Sequence, residues 1–193
     1  MNDALRYGRH VLIPWRVVKR TLRGLEHFLA FIGGCFLVYS LCFEVTVMTS
    51  GSMAPTLRGN SYEDGDRILL EKVTGWLRRP KRWEVYFFYN VEGVPVAKRV
   101  VGLPGERVSI RENQICINGR EIRPPSRLAF LRYYSYGNLT AGSEVSCGEG
   151  YFMLGDDSRD SYDSRFVGPV ARREFRGRVW CILWPWARAG LVR

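Results

Sequence analysis

The stretch Phe28-Leu29-Ala30-Phe31-Ile32-Gly33-Gly34-Cys35-Phe36-Leu37-Val38-Tyr39-Ser40-Leu41-Cys42-Phe43 decides the architecture of this 193-residue chain. It holds no charged residue. As an α-helix it would be about 24 Å long, somewhat short of the ~30 Å hydrocarbon core of a bilayer. Leu22 and Leu25 can lengthen it, because charged side chains near a helix end can reach the headgroups. We therefore predict one transmembrane helix over residues 25–45.

Two other structures would fit such an apolar run, a buried core helix and a cleaved secretory leader. A cleaved leader needs small residues at the processing site that follows the run. The sequence instead continues with bulky residues, Leu41-Cys42-Phe43-Glu44-Val45. We therefore interpret the run as an uncleaved membrane anchor.

The formal net charge of +10 is concentrated at the two ends of the chain. Residues 1–27 have a net charge of +4, and residues 171–193 have a net charge of +5. Basic residues beside a span set its orientation and attract anionic headgroups. We predict a cytoplasmic basic segment at residues 1–24 and a domain of residues 46–193 on the far side of the membrane. This placement favours membrane lipid as a partner and argues against nucleic acid.

After the anchor, the sequence has the pattern of short β-strands separated by turns. The segments rich in β-branched and aromatic residues are 66–73, 84–89, 94–102, 107–110, 114–117, 149–154 and 177–184. No helical periodicity of comparable length follows residue 45. We predict a mainly β protein in which the anchor precedes an antiparallel, barrel-like domain. The less regular residues 126–148 are interpreted as an insertion at one edge.

The cysteines and histidines limit the chemistry of the domain. Cys35 and Cys42 fall in the predicted span, while the other three cysteines, at 116, 147 and 181, can form at most one disulfide. The chain has two histidines, His10 and His27, and both precede the domain. With no suitable ligand spacing we expect no metal site and no cofactor.

The segment Ser50-Gly51-Ser52 provides a candidate nucleophile directly after the anchor. A serine needs a base to remove its proton, and the domain has no histidine for this role. Lys98 is a candidate base because strand alternation places it on one face with Val96 and Val100, where loss of hydration would lower its pKa. Gly51 and the Ser50 hydroxyl could help to form an oxyanion hole. The alternatives are an ordinary loop serine and an ordinary exposed lysine.

A third polar segment, residues 155–165, contains four carboxylates, two arginines and three serines. A solvated turn is one interpretation, and the acids lack the spacing of a calcium loop. The functional interpretation is that Ser161 holds a neutral lysine in place. Asp163 and Arg165 would then form an ion pair that supports the loop.

Four sequence boxes occur in order after the anchor, and together they resemble those of type I signal peptidases. They are Ser50-Gly51-Ser52-Met53-Ala54-Pro55-Thr56-Leu57, then Gly65-Asp66, then Lys98-Arg99-Val100-Val101-Gly102-Leu103-Pro104-Gly105-Glu106, and finally Gly155-Asp156 with Ser161-Tyr162-Asp163-Ser164-Arg165. The resemblance covers about residues 28–125 and 149–184. Trp83 departs from the family, which commonly has glycine there.

The resemblance implies a membrane-bound serine endopeptidase that uses a Ser-Lys dyad to remove signal peptides after Ala-x-Ala sequences. It assigns Ser52 as the nucleophile and Lys98 as the general base. The residues it assigns to the oxyanion hole and its support are Ser50, Ser161, Asp163 and Arg165. The residues it assigns to the substrate pockets are Met48, Met53 and Ala97.

The same resemblance implies a location and partners. It predicts a single-pass protein of the plasma (inner) membrane with a cytoplasmic N-terminus, which acts as a monomer on preproteins that carry signal peptides. Two other functions are alternatives. A self-cleaving repressor of the LexA type would share a related β fold, but it would have a DNA-binding domain in place of a span. A membrane-anchored β module that binds a partner would have no need of Ser52 or Lys98.

Overall fold

The computed structural model of the chain describes residues 14–90 and 93–192. It divides into two compact units, the first ending at Leu41 and the second running from Cys42 to Arg193. The described residues of the first unit form the helix α1 (Trp15–Cys42), whose last residue begins the second unit and which is long and apolar enough to cross a membrane. The helix begins ten residues before the predicted span, because half of these ten residues, four basic residues and Leu22, are good helix formers. Residues 1–13 of the predicted basic segment lie outside the described residues.

The second unit consists of strands and short helices. Its strands are β1 (Phe43–Val47), β2 (Arg67–Glu71), β3 (Val85–Tyr89), β4 (Pro95–Gly102), β5 (Arg107–Arg111), β6 (Gln114–Ile117), β7 (Arg120–Glu121), β8 (Val145–Ser146), β9 (Phe152–Leu154), β10 (Phe175–Trp184) and β11 (Gly190–Leu191). Its α-helices are α2 (Val73–Leu77) and α3 (Ser164–Val167). Residues 43–45, which were predicted to end the span, belong to β1 and pair with β2.

The strands form two antiparallel sheets. The larger sheet has the order β1-β2-β10-β3-β4-β9, with β11 paired to β10. The smaller sheet has the order β7-β6-β5-β8. The prediction of a mainly β, antiparallel fold behind an apolar helix is thus confirmed, and each of the seven predicted strand segments contains a strand. Within the described ranges the larger sheet stays open between β1 and β9, so its resemblance to a barrel is loose.

Strand alternation divides the core of the larger sheet between its two faces. On β3, Val85 and Phe87 pack into one cluster with β2 and β10, whereas Tyr86 and Phe88 pack into another with β9. A third cluster fills the smaller sheet. It includes Leu128, Leu131, Tyr133 and Leu139, so residues 126–148 bury apolar side chains against this sheet. Their origin as an insertion stays a prediction. All five cysteines are free thiols.

Candidate active site

Ser52 and Lys98 lie in contact although 46 residues separate them in the sequence. Ser52 belongs to a 3₁₀ turn, Gly51–Met53, and Lys98 lies in the middle of β4. The Lys98 Nζ atom is 2.5 Å from the Ser52 Oγ atom. Lys98 is 3% exposed and Ser52 is 5% exposed. The pair is therefore a buried hydroxyl–amine contact, the arrangement that a serine needs for activation by a lysine.

The pKa of Lys98 is lowered to about 8. The main cause is desolvation by burial, which disfavours the ammonium form. The negative charge of Asp163 acts in the opposite direction, and the positive charge of Arg165 adds to the lowering. Val96 and Val100 share its face of β4, as the alternation of the strand requires, and Val100 is fully buried. About half of Lys98 is consequently neutral near pH 8, where an ordinary lysine is almost entirely charged.

The Ser50 side chain forms the cap of the turn that holds Ser52. The backbone N–H of Ser52 donates to the Ser50 Oγ atom at 3.2 Å. Ser50 is extended (φ −136°, ψ 141°) and exposed, so its hydroxyl proton is free to point outward. One hydroxyl and one amide therefore lie together beside the Ser52 side chain, at the open edge of the pair.

The loop after β9 closes over the turn, and glycine at position 155 makes this possible. A Cβ atom there would lie 2.2 Å from the Ser161 Oγ atom and 2.5 Å from the Ser52 carbonyl oxygen. That same carbonyl accepts a hydrogen bond from the Asp157 N–H at 3.1 Å. Ser161 is thus placed next to the Ser52 backbone by a contact that only glycine permits.

Ser161 donates its hydroxyl proton to Asp163 Oδ2 at 2.8 Å. Its oxygen lone pairs therefore remain available to accept a bond from a nearby cation. Among the hydrogen bonds of the described residues, none joins Ser161 to Lys98. The role of Ser161 in orienting the lysine accordingly stays a prediction.

Asp163 and Arg165 form a fully buried, bidentate ion pair. Arg165 Nε lies 2.8 Å from Asp163 Oδ1, and its second nitrogen lies 2.8 Å from Oδ2. Arg165 also donates to the carbonyl and the hydroxyl of Ser158, at 2.8 and 2.7 Å. Asp163 accepts from the Gly155 N–H at 3.0 Å. The pair thus ties both ends of the loop together, and such charge-assisted bonds fix geometry well.

Met48, Met53 and Ala97 lie in one apolar cluster of the larger sheet, together with Leu57. Each of the three is at most 3% exposed. Met53 directly follows Ser52, and Ala97 directly precedes Lys98. The structure therefore brings the predicted substrate-pocket residues together in one buried cluster, which adjoins Ser52 and Lys98 along the chain.

Sequence reasoning missed the role of a second buried ion pair, Arg99 with Asp156. Arg99 Nε lies 2.7 Å from Asp156 Oδ1, and both side chains are completely buried. Arg99 also donates to the Trp83 carbonyl at 2.6 Å, and Trp83 has a left-handed backbone (φ 72°). The available signal was the position of both residues inside the sequence boxes, and the departure at Trp83 falls where glycine is favoured.

The loop carboxylates Asp156 and Asp163 are engaged by arginines. Throughout the ranges that the structure describes, no group of three or more His, Cys, Asp or Glu residues is arranged to hold a metal ion.

Comparison with known proteins gives a consistent family. Residues 21–184 match the family model described as signal peptidase, peptidase S26. The chain is 31% identical over 156 residues to "Probable signal peptidase I-2" of Synechocystis sp., covering 77% of this chain and 66% of that protein. It is 28% identical over 141 residues to "Signal peptidase I V" of Bacillus subtilis, covering 66% of this chain and 78% of that protein.

A solved structure also matches, a signal peptidase I from Enterococcus faecalis. It is 30% identical, with a TM-score of 0.41, and the match covers 53% of this chain and 97% of that one. The extent of the family match, from the helix to the end of β10, makes the assignment on its own. The chain belongs to the signal peptidase family, peptidase S26, a family of serine endopeptidases.

Proposed function

We propose that this protein is a membrane-anchored endopeptidase that cleaves signal peptides from exported preproteins after small residues of the Ala-x-Ala type. Ser52 is the nucleophile, and Lys98 is its general base. The observation that carries the proposal is the 2.5 Å contact between Lys98 Nζ and Ser52 Oγ in a buried site. Family membership supports the substrate class.

Catalysis begins with Lys98 in its neutral form. The amine accepts the Ser52 proton as the hydroxyl oxygen attacks the scissile carbonyl carbon. The ammonium that results then donates this proton to the leaving amine of the mature protein. Lys98, neutral again, activates the water that hydrolyses the acyl-enzyme. The lowered pKa suits both directions of transfer, because it lies near the working pH.

The negative charge that develops on the carbonyl oxygen is stabilised by the Ser52 N–H and the Ser50 hydroxyl. In the free protein these two groups bond to each other at 3.2 Å. As the oxyanion forms, it replaces Ser50 Oγ as the acceptor of the Ser52 N–H, and it also accepts a hydrogen bond from the Ser50 hydroxyl. Loss of one such donor from an oxyanion hole typically costs about 10²- to 10³-fold in kcat.

The preference for small residues follows from packing beside the pair. Met48, Met53 and Ala97 are nearly fully buried, so a side chain entering this cluster meets close-packed atoms. Such a surface rejects bulky side chains by steric exclusion. Ala-x-Ala sequences satisfy this constraint with the smallest side chains that still offer apolar contact.

The anchor gives the enzyme access to its substrates. We place α1 across the plasma (inner) membrane once, with the basic N-terminus in the cytoplasm and residues 43–193 outside. Preproteins are presented at this same membrane by their apolar leaders, and a single copy of the chain contains every proposed catalytic group.

The test is cleavage of a preprotein with an Ala-x-Ala leader by the full chain in detergent. Wild type is compared with Ser52→Ala, Lys98→Ala and the matched control Lys81→Ala, an exposed lysine. We expect wild type and Lys81→Ala to release the mature protein equally. Ser52→Ala and Lys98→Ala should lose at least ~10³-fold in kcat/KM.

Circular dichroism must show that all four proteins are folded. Retained turnover in Lys98→Ala would contradict the base assignment. Cleavage after bulky residues with the same efficiency as after alanine would contradict the proposed specificity.

A further inference from the structure

A cavity of about 370 Å³ lies between α2, β3 and the start of β10. It uses none of the residues assigned to the proposed peptidase. Its charged lining residues are Lys72, Arg172, Arg173 and Arg176, and its aromatic lining residues are Trp76, Tyr86 and Phe175. It adjoins a wider recess of about 680 Å³, with which it shares Lys72, Arg173, Phe175 and Arg176. Two contiguous openings are therefore built around the same cations.

Positive charge exceeds negative charge around this cavity. Four cations line it, and no carboxylate is among its lining residues. Of the carboxylates that the structure describes, only that of Glu44 pairs with these cations, at 3.1 Å from Lys72 Nζ and 3.1 Å from Arg176 Nε. Arg172 donates to backbone carbonyls, at 2.5 Å to Gly75 and 3.1 Å to Arg78. Within the described ranges Arg173 has no carboxylate within 4.0 Å. The positive charge of the cluster is therefore not fully compensated, which favours an anionic ligand.

Tyr86 adds a buried hydrogen-bonding group to the same cavity. Its side chain is 1% exposed, and its ring stacks on Phe175 with centroids 4.9 Å apart. Its hydroxyl finds no hydrogen-bond partner in the part of the chain that the structure describes. A buried polar group without a partner is costly and uncommon in a native protein. Burial raises the pKa of this phenol, and the negative charges of Glu84 and Glu71 add to the shift, so the hydroxyl stays protonated and has a hydrogen to donate.

The rest of the cavity is apolar, and Lys72 at its edge contacts Cys42, the first residue of the second unit. Trp76, Pro80 and Phe175 supply its apolar wall. On α2, Trp76 is 62% exposed and Leu77 is 80% exposed, although both are large apolar residues. The Lys72 N–H donates to the carbonyl of Cys42, the last residue of α1, at 2.8 Å. A ligand that combines an anionic head with apolar chains fits these features better than a free ion does.

We propose that this cavity binds the phosphate of an anionic phospholipid, with the four cations and the Tyr86 hydroxyl around the headgroup and Trp76 and Leu77 against the acyl chains. Arginine and lysine are the usual phosphate ligands, and anionic headgroups attract basic segments near a membrane. The site is separate from the Ser52 chemistry and does not depend on it.

The test measures thermal stabilisation of the full chain in a neutral detergent, because a ligand that binds the folded state raises Tm according to its affinity. The probes are dihexanoyl phosphatidylglycerol, dihexanoyl phosphatidylcholine and inorganic phosphate. The cavity variant is Arg173→Gln with Arg176→Gln. Its control, Arg120→Gln with Arg123→Gln, removes the same charge from exposed positions and likewise breaks one ion pair. Tyr86→Phe preserves the aromatic stacking and removes only the hydroxyl.

We expect phosphatidylglycerol to raise the Tm of wild type and of the control with the same midpoint concentration. The midpoint should rise roughly tenfold in Tyr86→Phe and at least tenfold in the cavity variant. At the concentrations of phosphatidylglycerol that stabilise wild type, phosphatidylcholine and phosphate should change Tm little. The cations repel the choline group, and inorganic phosphate lacks acyl chains. Equal midpoints in the cavity variant and the control would overturn the site. Equal stabilisation by phosphatidylcholine or by phosphate alone would overturn its assignment to an anionic lipid.

Discussion

Lys98 and Arg99 are consecutive residues of β4 with opposite surroundings. Both are buried, at 3% and 0% exposure, and alternation directs them to opposite faces of the sheet. On one face Lys98 contacts the neutral hydroxyl of Ser52, at 2.5 Å. On the other face Arg99 meets the carboxylate of Asp156 through two bonds, of 2.7 and 2.6 Å.

The difference shows how the partner decides the charge of a buried cation. Burial lowers the pKa of both groups, but for Arg99 the hydrogen bonds and the charge of Asp156 outweigh it and raise the pKa. No carboxylate bonds to Lys98 in the described structure, so desolvation prevails and its pKa falls to about 8. Arg99 therefore stays charged in its ion pair with Asp156, whereas Lys98 can exchange a proton.

Loss of the buried ion pair between Arg99 and Asp156 should destabilise the protein more than any other change considered below. In Asp156→Asn, Arg99 keeps its charge but loses the carboxylate that compensates for burial. Removing one partner of a buried ion pair typically costs about 3–5 kcal/mol. We expect a loss of this order in the free energy of unfolding, measured by urea denaturation.

The matched control is Glu121→Gln, which breaks the pair with Arg123, a residue that is 88% exposed at its side chain. Exposed pairs contribute little, so this change should stay within about 1 kcal/mol. If Asp156→Asn were as stable as the control, Arg99 could not depend on its partner as described.

The second prediction concerns the Lys98 amine, which has no carboxylate partner. The unfolded chain has the ordinary lysine pKa of 10.5, so below pH 8 folding costs the difference in proton affinity, on the order of 3 kcal/mol. Lys98→Met keeps the length of the side chain and removes this cost. We expect the variant to be about 1–3 kcal/mol more stable than wild type at pH 7, yet inactive.

The sign of the pH dependence provides the check. Between pH 8 and 10.5 the unfolded chain binds more protons at this position, so wild-type stability rises with pH and the advantage of Lys98→Met shrinks. Urea denaturation at pH 7 and pH 10 measures both values. An advantage that grew with pH would contradict the assigned direction of the shift.

The sequence predicted Lys98 because its surroundings are local. Val96 and Val100 share its strand, so period-two alternation was enough to indicate an apolar face. The role of Arg99 could not be predicted in this way, because its partner Asp156 lies 57 residues further along the chain. The cavity around Tyr86 was missed for the same reason, since its cations come from segments about a hundred residues apart.

The boundary of the anchor was the other gap in the prediction. Residues 43–45 are as apolar as the run before them apart from Glu44, so hydropathy alone extends the helix through them. Their pairing with β2 decides in favour of a strand. The end of the helix is therefore determined by long-range strand pairing, which composition does not reveal.

The smallest expected effect concerns a charge at the rim of the site. Asp160 is exposed and lies 4.0 Å from the position that a Cβ atom of Gly51 would occupy, and its negative charge raises the pKa of Lys98. Asp160→Asn should lower the midpoint of the pH–rate profile by a few tenths of a pH unit. Glu63→Gln is the control, because Glu63 is also exposed and is not among the charges that shift the pKa of Lys98.

High salt distinguishes this effect from a structural one. At 1 M salt the Debye length is only about 3 Å, so the difference between Asp160→Asn and wild type should vanish. A difference of unchanged size in high salt would argue against an electrostatic origin.

The most direct test of the account is the pH dependence of kcat/KM for preprotein cleavage by the wild-type chain, measured from pH 6 to 10. This quantity reports the pKa of the essential base in the free enzyme. If burial makes Lys98 the base, the rate rises tenfold per pH unit at the acid end and levels off with a midpoint near 8. A flat profile, or a midpoint near the 10.5 of an ordinary lysine, would contradict it.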